Sequence, residues 1–176
     1  MSSQPAKSLL DLNKLHHELD QLFFEHQVAL LKGDFSRSRA MLKPFEKALL
    51  QHMKEEDEIL LPLYRQRADQ IQGGDAEIFL GEHVKITEWI NRINLRASRL
   101  SRSDANWKEI ISLFDDEAQF KKYVEHHSIR EDRIFYPEVD RVVEGKEKEQ
   151  VMRLLTFTLE EFKDIEDDLP PTSLSP

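Results

Sequence analysis

Two stretches of the chain repeat one pattern of residues: "HMKEEDEILLP", from His52 to Pro62, and "HSIREDRIFYP", from His127 to Pro137. Aligned without gaps, they share His, Glu, Asp, Ile and Pro at the same offsets. In both, a glutamate follows the histidine by four residues, about one turn of an α-helix, so the two side chains lie on one helix face. The pattern therefore predicts two matching helical turns that each present an imidazole beside a carboxylate.

Helical spacing of apolar residues continues on both sides of these stretches, without the alternation that is typical of strands. The chain is rich in Leu, Glu, Lys and Arg and has only 5 Gly, which also favours helices. Pro62 and Pro137 fall inside two of the helical patterns, and each is expected to kink or end its helix. The predicted helices cover about 8–32 (ending at Gly33-Asp34), 36–72 (ending at Gly73-Gly74), 76–100, 104–145 (with Ser103 or Asp104 as N-cap) and 146–165.

Four long helices with short connections predict an all-α fold, an up-down-up-down antiparallel four-helix bundle with an extra C-terminal helix. We expect a flexible N-terminus over residues 1–7, the bundle over 8–145, an appended amphipathic helix over 146–166 and a disordered tail over 167–176. The appended helix carries apolar residues at Val151, Leu154, Leu155, Leu159 and Phe162. We favour packing of this face on the bundle; the alternative is a homodimer through the same helix.

Each of the four long helices has one apolar stripe at heptad-like spacing, and each stripe contains a histidine where leucine is the usual residue. The predicted inward positions are Leu12, His16, Leu19, Phe23, His26 and Leu30 on the first helix; Phe45, Leu49, His52, Glu56, Ile59 and Leu63 on the second; Phe79, His83, Ile86, Ile90, Ile93, Ala97 and Leu100 on the third; and Phe120, Val124, His127, Glu131 and Ile134 on the fourth.

Burying unpaired imidazoles and carboxylates is costly, so their presence on inward stripes requires partners. His16 and His52 lie at nearly equal distances along the chain from the turn at Gly33-Asp34, which puts them at one level of an antiparallel pair. His83 and His127 flank the connection at residues 101–104 at similar, slightly unequal distances. Four imidazoles and the carboxylates of Glu56 and Glu131 are then expected to converge, and a pair of metal ions offsets the cost of burying them.

Nitrogen and carboxylate ligands without sulfur suit iron, manganese or zinc, and two glutamates from opposite helices can each bridge two metals. The Glu-x-x-His motif of ferritin-like bundles is absent, because Asn13, Leu49, Leu80 and Val124 stand three residues before the histidines. The His-Glu-x-x-His motif of zinc proteases is absent as well. The alternative is a polar packing network without metal, although such a network does not require two copies of one spacing.

Several neighbouring residues could be mistaken for ligands. We favour His16 over His17 because it falls on the stripe, and His127 over His126 because of the repeat. His26 lies roughly 15 Å along the helix from His16, so we interpret it as a core or supporting histidine. We expect solvated faces at Glu55, Asp57, Glu58 and Asp132. For Tyr64, Tyr123 and Tyr136 we favour ordinary packing; the alternative is that they line the pocket or donate to bound oxygen.

The composition argues against several classes of function. A formal net charge of −9 disfavours nucleic acid and anionic membrane surfaces as partners. The absence of cysteine excludes disulfides, thiolate metal sites and a cysteine nucleophile, and it fits a cytoplasmic location. No apolar run approaches the ~20 residues of a membrane span, and we expect no signal peptide.

The combination of His16, His52-x-x-x-Glu56, His83 and His127-x-x-x-Glu131 resembles the hemerythrin-like, or HHE cation-binding, family. The pattern covers about residues 8–142. The resemblance implies a four-helix bundle with two non-haem iron ions, oxo- or hydroxo-bridged, held by those six residues and bridged by the two glutamates. It also implies a small diatomic or peroxide ligand: family members bind dioxygen, sense oxygen or iron, respond to nitric oxide, or decompose peroxide.

The sequence differs from the oxygen-carrying hemerythrins at two places. Their third helix supplies two histidines four residues apart, whereas here His83 is followed by Thr87. Their fourth helix carries His-x-x-x-x-Asp, whereas here Glu131 follows His127 by four residues. The chain is more similar to the subgroup with the H–HxxxE–H–HxxxE pattern, for which we expect redox or catalase-like peroxide chemistry. A non-enzymatic sensor of oxygen, nitric oxide or iron is the alternative.

Overall fold

The structure of the protein is a computed structural model that describes residues 8–69, 71–100 and 106–159. These residues form a bundle-like, all-helical fold, and none of the described residues belongs to a strand. Two five-residue π segments, Glu56–Leu60 and Glu131–Phe135, join α-helices end to end. The α-helices are α1 (Asn13–Leu31, after a 3₁₀ turn at Leu9–Leu12), α2 (Phe35–Glu55), α3 (Leu61–Arg67), α4 (Ala76–Arg99), α5 (Trp107–Arg130), α6 (Tyr136–Val142) and α7 (Gly145–Leu154).

The apolar core lies in two clusters. Consecutive helices pack together, α1 on α2 and α4 on α5, while α2 also contacts α4 and α3 contacts α6. One cluster includes Phe23, Phe45 and Phe120, and the other includes Phe79 and Phe135. In each long helical unit, the predicted histidines and glutamates lie between residues of the first cluster and residues of the second. The polar residues therefore form a layer between two apolar regions.

The turn between α1 and α2 follows the predicted sequence signal. Gly33 has φ 70°, a conformation that glycine adopts without steric cost. Its N–H donates to the Leu30 carbonyl, and the N–H of Asp34 donates to the Ala29 carbonyl, which completes a Schellman motif. The Asp34 carboxylate accepts from the Arg37 N–H and so caps α2. This confirms the predicted stop of the first helix.

Two predicted helix boundaries were wrong. The second helical unit ends at Arg67 rather than near residue 72, because the backbone of the next residue, Ala68, is extended (φ −74°, ψ 149°). Asn106 caps α5 by accepting from the Lys108 N–H. The predicted caps Ser103 and Asp104 lie outside the described residues.

The repeated prolines widen their helices instead of ending them. The Leu61 N–H donates to the Glu56 carbonyl, five residues back, and the Tyr136 N–H donates in the same way to the Glu131 carbonyl. Pro62 and Pro137 come directly afterwards, in the first turn of the next α-helix. A proline ring clashes with the preceding α-helical turn and lacks an N–H, and the wider π turn accommodates both effects.

The π segments also shift the inward-facing stripes relative to the predicted ones. Each inserts one residue into the helical repeat, so every inward position after the glutamate moves by one. Ile59, Leu63 and Ile134 are only partly buried. The residues that follow them are buried instead: Leu60, Tyr64 and Phe135. The stripes before the π segments are largely as predicted; Val124 is half-buried.

The C-terminal part of the described chain lies against the bundle. α7 ends at Leu154, so the prediction of a helix to residue 165 was wrong over residues 155–159; residues 160–176 and 1–7 lie outside the described range. Val151, Leu155 and Leu159 are buried in the two core clusters, which is the predicted intramolecular packing. A homodimer through this helix stays a prediction.

Side-chain carboxylates hold the extended residues 155–159. The N–H and hydroxyl of Thr156 donate to the two oxygens of Glu55, at 2.8 and 2.9 Å, and the Leu159 N–H donates to Glu18. Glu55 is therefore buried, not solvated as expected, whereas Glu58 is exposed as expected. None of the described helices is long and apolar enough to cross a membrane.

We predict that Glu55→Ala lowers the free energy of unfolding by about 1–3 kcal/mol, because it leaves the Thr156 N–H and hydroxyl without their acceptor. Urea denaturation measures the loss, and amide hydrogen exchange at Thr156 should accelerate. The control is Glu58→Ala on the same segment, which we expect to change stability by less than ~0.5 kcal/mol. Equal effects of the two variants would show that Glu55 does not hold the C-terminal segment.

Candidate metal centre

The six side chains predicted as ligands meet in the polar layer. Their nitrogen and oxygen atoms form two groups, one of Glu56, His83, His127 and Glu131, the other of His16, His52 and Glu131, and within each group the atoms lie within 4.8 Å of one another. Five of the six residues are buried, and the His16 side chain is 11 % exposed. The structure therefore brings the six predicted residues together. Their imidazoles form two pairs, His16 with His52 and His83 with His127.

The two carboxylates each face both imidazole pairs. Glu131 places Oε1 2.7 Å from His127 Nε2 and Oε2 3.3 Å from His16 Nε2. Glu56 places Oε1 3.6 Å from His52 Nε2 and Oε2 3.4 Å from His83 Nε2. One oxygen of each glutamate thus points to each pair, which is the arrangement that bridging carboxylates require.

The donor set fits metal ions. Around a cation with bonds of ~2.1 Å, two ligands at right angles lie about 3.0 Å apart; the Nε2 atoms of His16 and His52 are 3.0 Å apart. Glu56 Oε2, His83 Nε2 and both oxygens of Glu131 are buried and have no hydrogen-bond partner among the described residues. Native proteins rarely leave so many buried polar atoms unsatisfied, and metal ions between the two pairs would satisfy these four.

Carboxylates behind one imidazole pair orient its rings. His83 Nδ1 donates to Asp57 at 2.7 Å, and His127 Nδ1 donates to Glu82 at 2.9 Å. With Nδ1 donating to a carboxylate, Nε2 of each ring faces the centre, where a metal ion can displace the proton that it carries. The expectation of a solvated face is therefore wrong for Asp57, which is a hydrogen-bond partner of His83.

Tyr136 is the polar residue that the sequence analysis assigned to ordinary packing. Its hydroxyl donates to Glu56 Oε1 at 2.6 Å and lies 3.2 Å from His16 Nε2 and 3.3 Å from His52 Nε2. The side chain is fully buried. The expectation was wrong because it ignored the π segment, which turns residue 136 inward.

The charges of the centre favour bound cations. Burial opposes a charge on His83, but the carboxylates of Asp57, Glu131 and Glu56 beside it outweigh this effect and raise the pKa of His83 to about 12. Burial likewise opposes protonation of His127, while Glu131 and Glu82 raise its pKa to about 9. Burial raises the pKa of Glu131, yet the three histidines beside it hold that pKa well below its usual range. The carboxylates therefore attract positive charge, which protons or metal ions can supply.

The pKa values of His52 and Tyr136 follow mainly from burial. Burial lowers the pKa of His52, so its imidazole is neutral. Burial, together with the charges of Glu131 and Glu56, raises the pKa of Tyr136 well above its usual value. The phenol therefore stays protonated and can act as a hydrogen-bond donor.

The remaining candidate histidines lie outside the centre. His17 and His126 are exposed, as the stripe and the repeat predicted. His26 is fully buried, as expected for a core histidine: Nε2 lies 2.8 Å from Glu117 Oε1, and Nδ1 lies 2.8 Å from the Ser38 carbonyl oxygen. Sequence reasoning missed Glu82, Tyr136 and Glu117. Among the residues that hydrogen-bond to the predicted ligands from outside the centre, only Asp57 had a signal in the sequence, because the repeat places an aspartate at positions 57 and 132.

A small cavity of about 30 Å³ adjoins the centre on the side of His16 and His52. Its other walls are mainly apolar, with Leu49, Phe45 and Val124 among them, and exposed Asp20 and Lys121 also line it. The volume is enough for a molecule about the size of water. The space beside the centre therefore corresponds to one water-sized molecule.

In comparisons with protein families, curated proteins and solved structures, the chain finds no match.

We predict that Tyr136→Phe lowers the free energy of unfolding of the metal-free protein by about 1–3 kcal/mol, because the buried Glu56 carboxylate loses its donor. Urea denaturation after treatment with a chelator measures the change. The control is Tyr123→Phe at a half-buried tyrosine, where we expect a smaller effect. Unchanged stability of Tyr136→Phe would mean that the hydroxyl does not hold Glu56.

Proposed function

We propose that the chain is a hemerythrin-like protein that holds two non-haem iron ions between its imidazole pairs, in an up-down-up-down bundle. The observation that carries the proposal is the pair of buried carboxylates, Glu56 and Glu131, each with one oxygen toward each pair of histidines. The contacts of α1 with α2 and of α4 with α5 support the antiparallel arrangement. Manganese and zinc suit the same ligands, so the choice of iron as the metal bound in the cell is also part of the proposal.

The chain's own residues have separate roles in this proposal. His16 and His52 would bind one metal, His83 and His127 the other, and the glutamates would span both. The Tyr136 hydroxyl holds Glu56 in place through its hydrogen bond. The apolar walls beside His52 would limit the number of water molecules that reach this side of the centre. When bound, the iron pair supplies redox chemistry and open coordination positions.

The proposed ligand is a small oxidant, namely peroxide, dioxygen or nitric oxide, and peroxide decomposition is the proposed activity. The cavity of about 30 Å³ beside the centre supports a ligand of this size. It does not discriminate among the three, because all are close to water in size. Histidine and glutamate ligands without a thiolate are also compatible with each of them.

A second candidate function is a sensor of oxygen, nitric oxide or iron. It is favoured by the C-terminal segment, which is hydrogen-bonded to Glu18 on α1 and Glu55 on α2. These residues lie two and one positions from His16 and Glu56. A change in ligation could therefore alter the contacts of the segment and reach a surface of the protein.

The first test is metal content. We predict about two irons per chain and near-ultraviolet absorption of a bridged iron pair in protein purified from iron-supplied cells. His52→Ala and Glu131→Ala should lose both signals, because each removes a buried ligand. The control is His26→Leu, which removes a buried histidine outside the centre and should retain both irons at lower stability. If the wild-type protein takes up no ferrous iron in the absence of air, the remaining explanation of these residues is a polar packing network without metal.

The second test separates catalysis from sensing. We predict that the iron-loaded protein decomposes hydrogen peroxide without an added reductant, and that Glu131→Ala does not, with oxygen release as the measurement. A reversible change of the spectrum with dioxygen or nitric oxide, without peroxide turnover, would instead favour the sensor.

A further inference from the structure

We propose that the two metal positions are unequal and that a divalent cation fills the His83–His127 position first. The outer residues Asp57 and Glu82 would be the positioning residues that make this position tighter. The inference rests on the proposed metal centre, but it concerns the order and strength of loading, which that proposal leaves open.

The repeat allows the two halves of the centre to be compared position by position. The stretches beginning at His52 and His127 are 75 residues apart, so Asp57 corresponds to Asp132, and Leu61 corresponds to Tyr136. His16 on α1 and His83 on α4 are the ligands on the helices that precede these two stretches, so we treat them as equivalent as well. Differences between these equivalent positions show where the two halves have diverged.

The rings of His83 and His16 have unequal outer partners. His83 Nδ1 donates to Asp57 at 2.7 Å, whereas His16 Nδ1 is 3.9 Å from the equivalent Asp132, too far for a hydrogen bond. The Asp132 side chain is 40 % exposed and the Asp57 side chain 33 %. The two aspartates therefore differ more in distance to the imidazole than in exposure.

The rings of His127 and His52 differ even more. His127 Nδ1 donates to Glu82, the residue before His83, and Arg130 holds the other oxygen of that carboxylate. The corresponding residue before His16 is Leu15, which has no acceptor. His52 Nδ1 is buried and has no hydrogen-bond partner among the described residues. One imidazole pair is thus oriented by two carboxylates, and the other by none at hydrogen-bond distance.

Tyr136 adds a third difference. Its hydroxyl lies within 3.3 Å of the Nε2 atoms of both His16 and His52 and donates to the Glu56 oxygen on that side. The equivalent Leu61 has no hydroxyl. A cation at the His16–His52 position would have to displace these contacts. At the other position it would replace the 2.7 Å contact between His127 Nε2 and Glu131 Oε1, which are both ligand atoms.

These differences act in one direction. A carboxylate that accepts from the outer nitrogen fixes the tautomer and raises the basicity of the ligand nitrogen, and its removal typically costs ~10–100-fold in metal affinity. The His83–His127 position has two such carboxylates, and the other position has none at hydrogen-bond distance. The geometry therefore favours stepwise loading.

The test is titration of the metal-free, full-length protein with Co²⁺, followed by calorimetry and by the visible absorption of the bound ion. We expect two binding steps of different affinity. Asp57→Asn and Glu82→Gln should each weaken the tighter step by ~10–100-fold and shift its absorption. The repeat-equivalent control, Asp132→Asn, should leave the tighter step unchanged, and thermal unfolding of each metal-free variant checks its folding.

Each outcome has a separate meaning. Two equal steps in the wild type overturn the inference but leave the metal centre intact. The inference also fails if Asp57→Asn and Glu82→Gln affect only the weaker step, or if Asp132→Asn weakens the tighter step as much as they do. A wild-type protein that binds no Co²⁺ overturns the inference and the proposed function together.

Discussion

Burial of a polar layer between two apolar clusters is the constraint on which this fold depends. Four imidazoles and two carboxylates occupy positions that would otherwise hold aliphatic side chains, and buried charges are stable only with partners. The layer therefore requires His16, His52, His83 and His127 to reach one level of the fold. The turn at Gly33 and Asp34 contributes directly, because it sets the level of α2 relative to α1.

The second buried polar cluster shows what a self-sufficient arrangement looks like. His26 contacts Glu117 and Ser38, and Gln27 donates to the other oxygen of Glu117 at 2.8 Å. Every polar atom of the imidazole and of the carboxylate has a protein partner. The centre at Glu56 and Glu131 has the same residue types but leaves four inward-facing atoms without one. Satisfaction by the protein, rather than residue type, therefore distinguishes a structural histidine from a candidate ligand.

The π segments link the repeated sequence to the chemistry of the centre. Each starts at a glutamate of the layer and ends just before a proline-containing turn. The inserted residue turns Leu61 inward in one repeat and Tyr136 inward in the other. The same backbone device thus produces an apolar wall on one side and a hydroxyl on the other. The two halves of the centre share their backbone plan and differ in their side chains.

The sequence by itself determined the helical class, the six converging residues and the rejection of His17 and His126. This was possible because a histidine and a glutamate four residues apart share a helix face whatever surrounds them. The tertiary structure decided the contacts of Asp57, Glu82 and Tyr136, the burial of Glu55 and the extended course of residues 155–159. Each of these depends on which helices are neighbours, or on a π segment that periodicity alone does not reveal. Local spacing therefore predicted which side chains converge, whereas their supporting contacts required the packed fold.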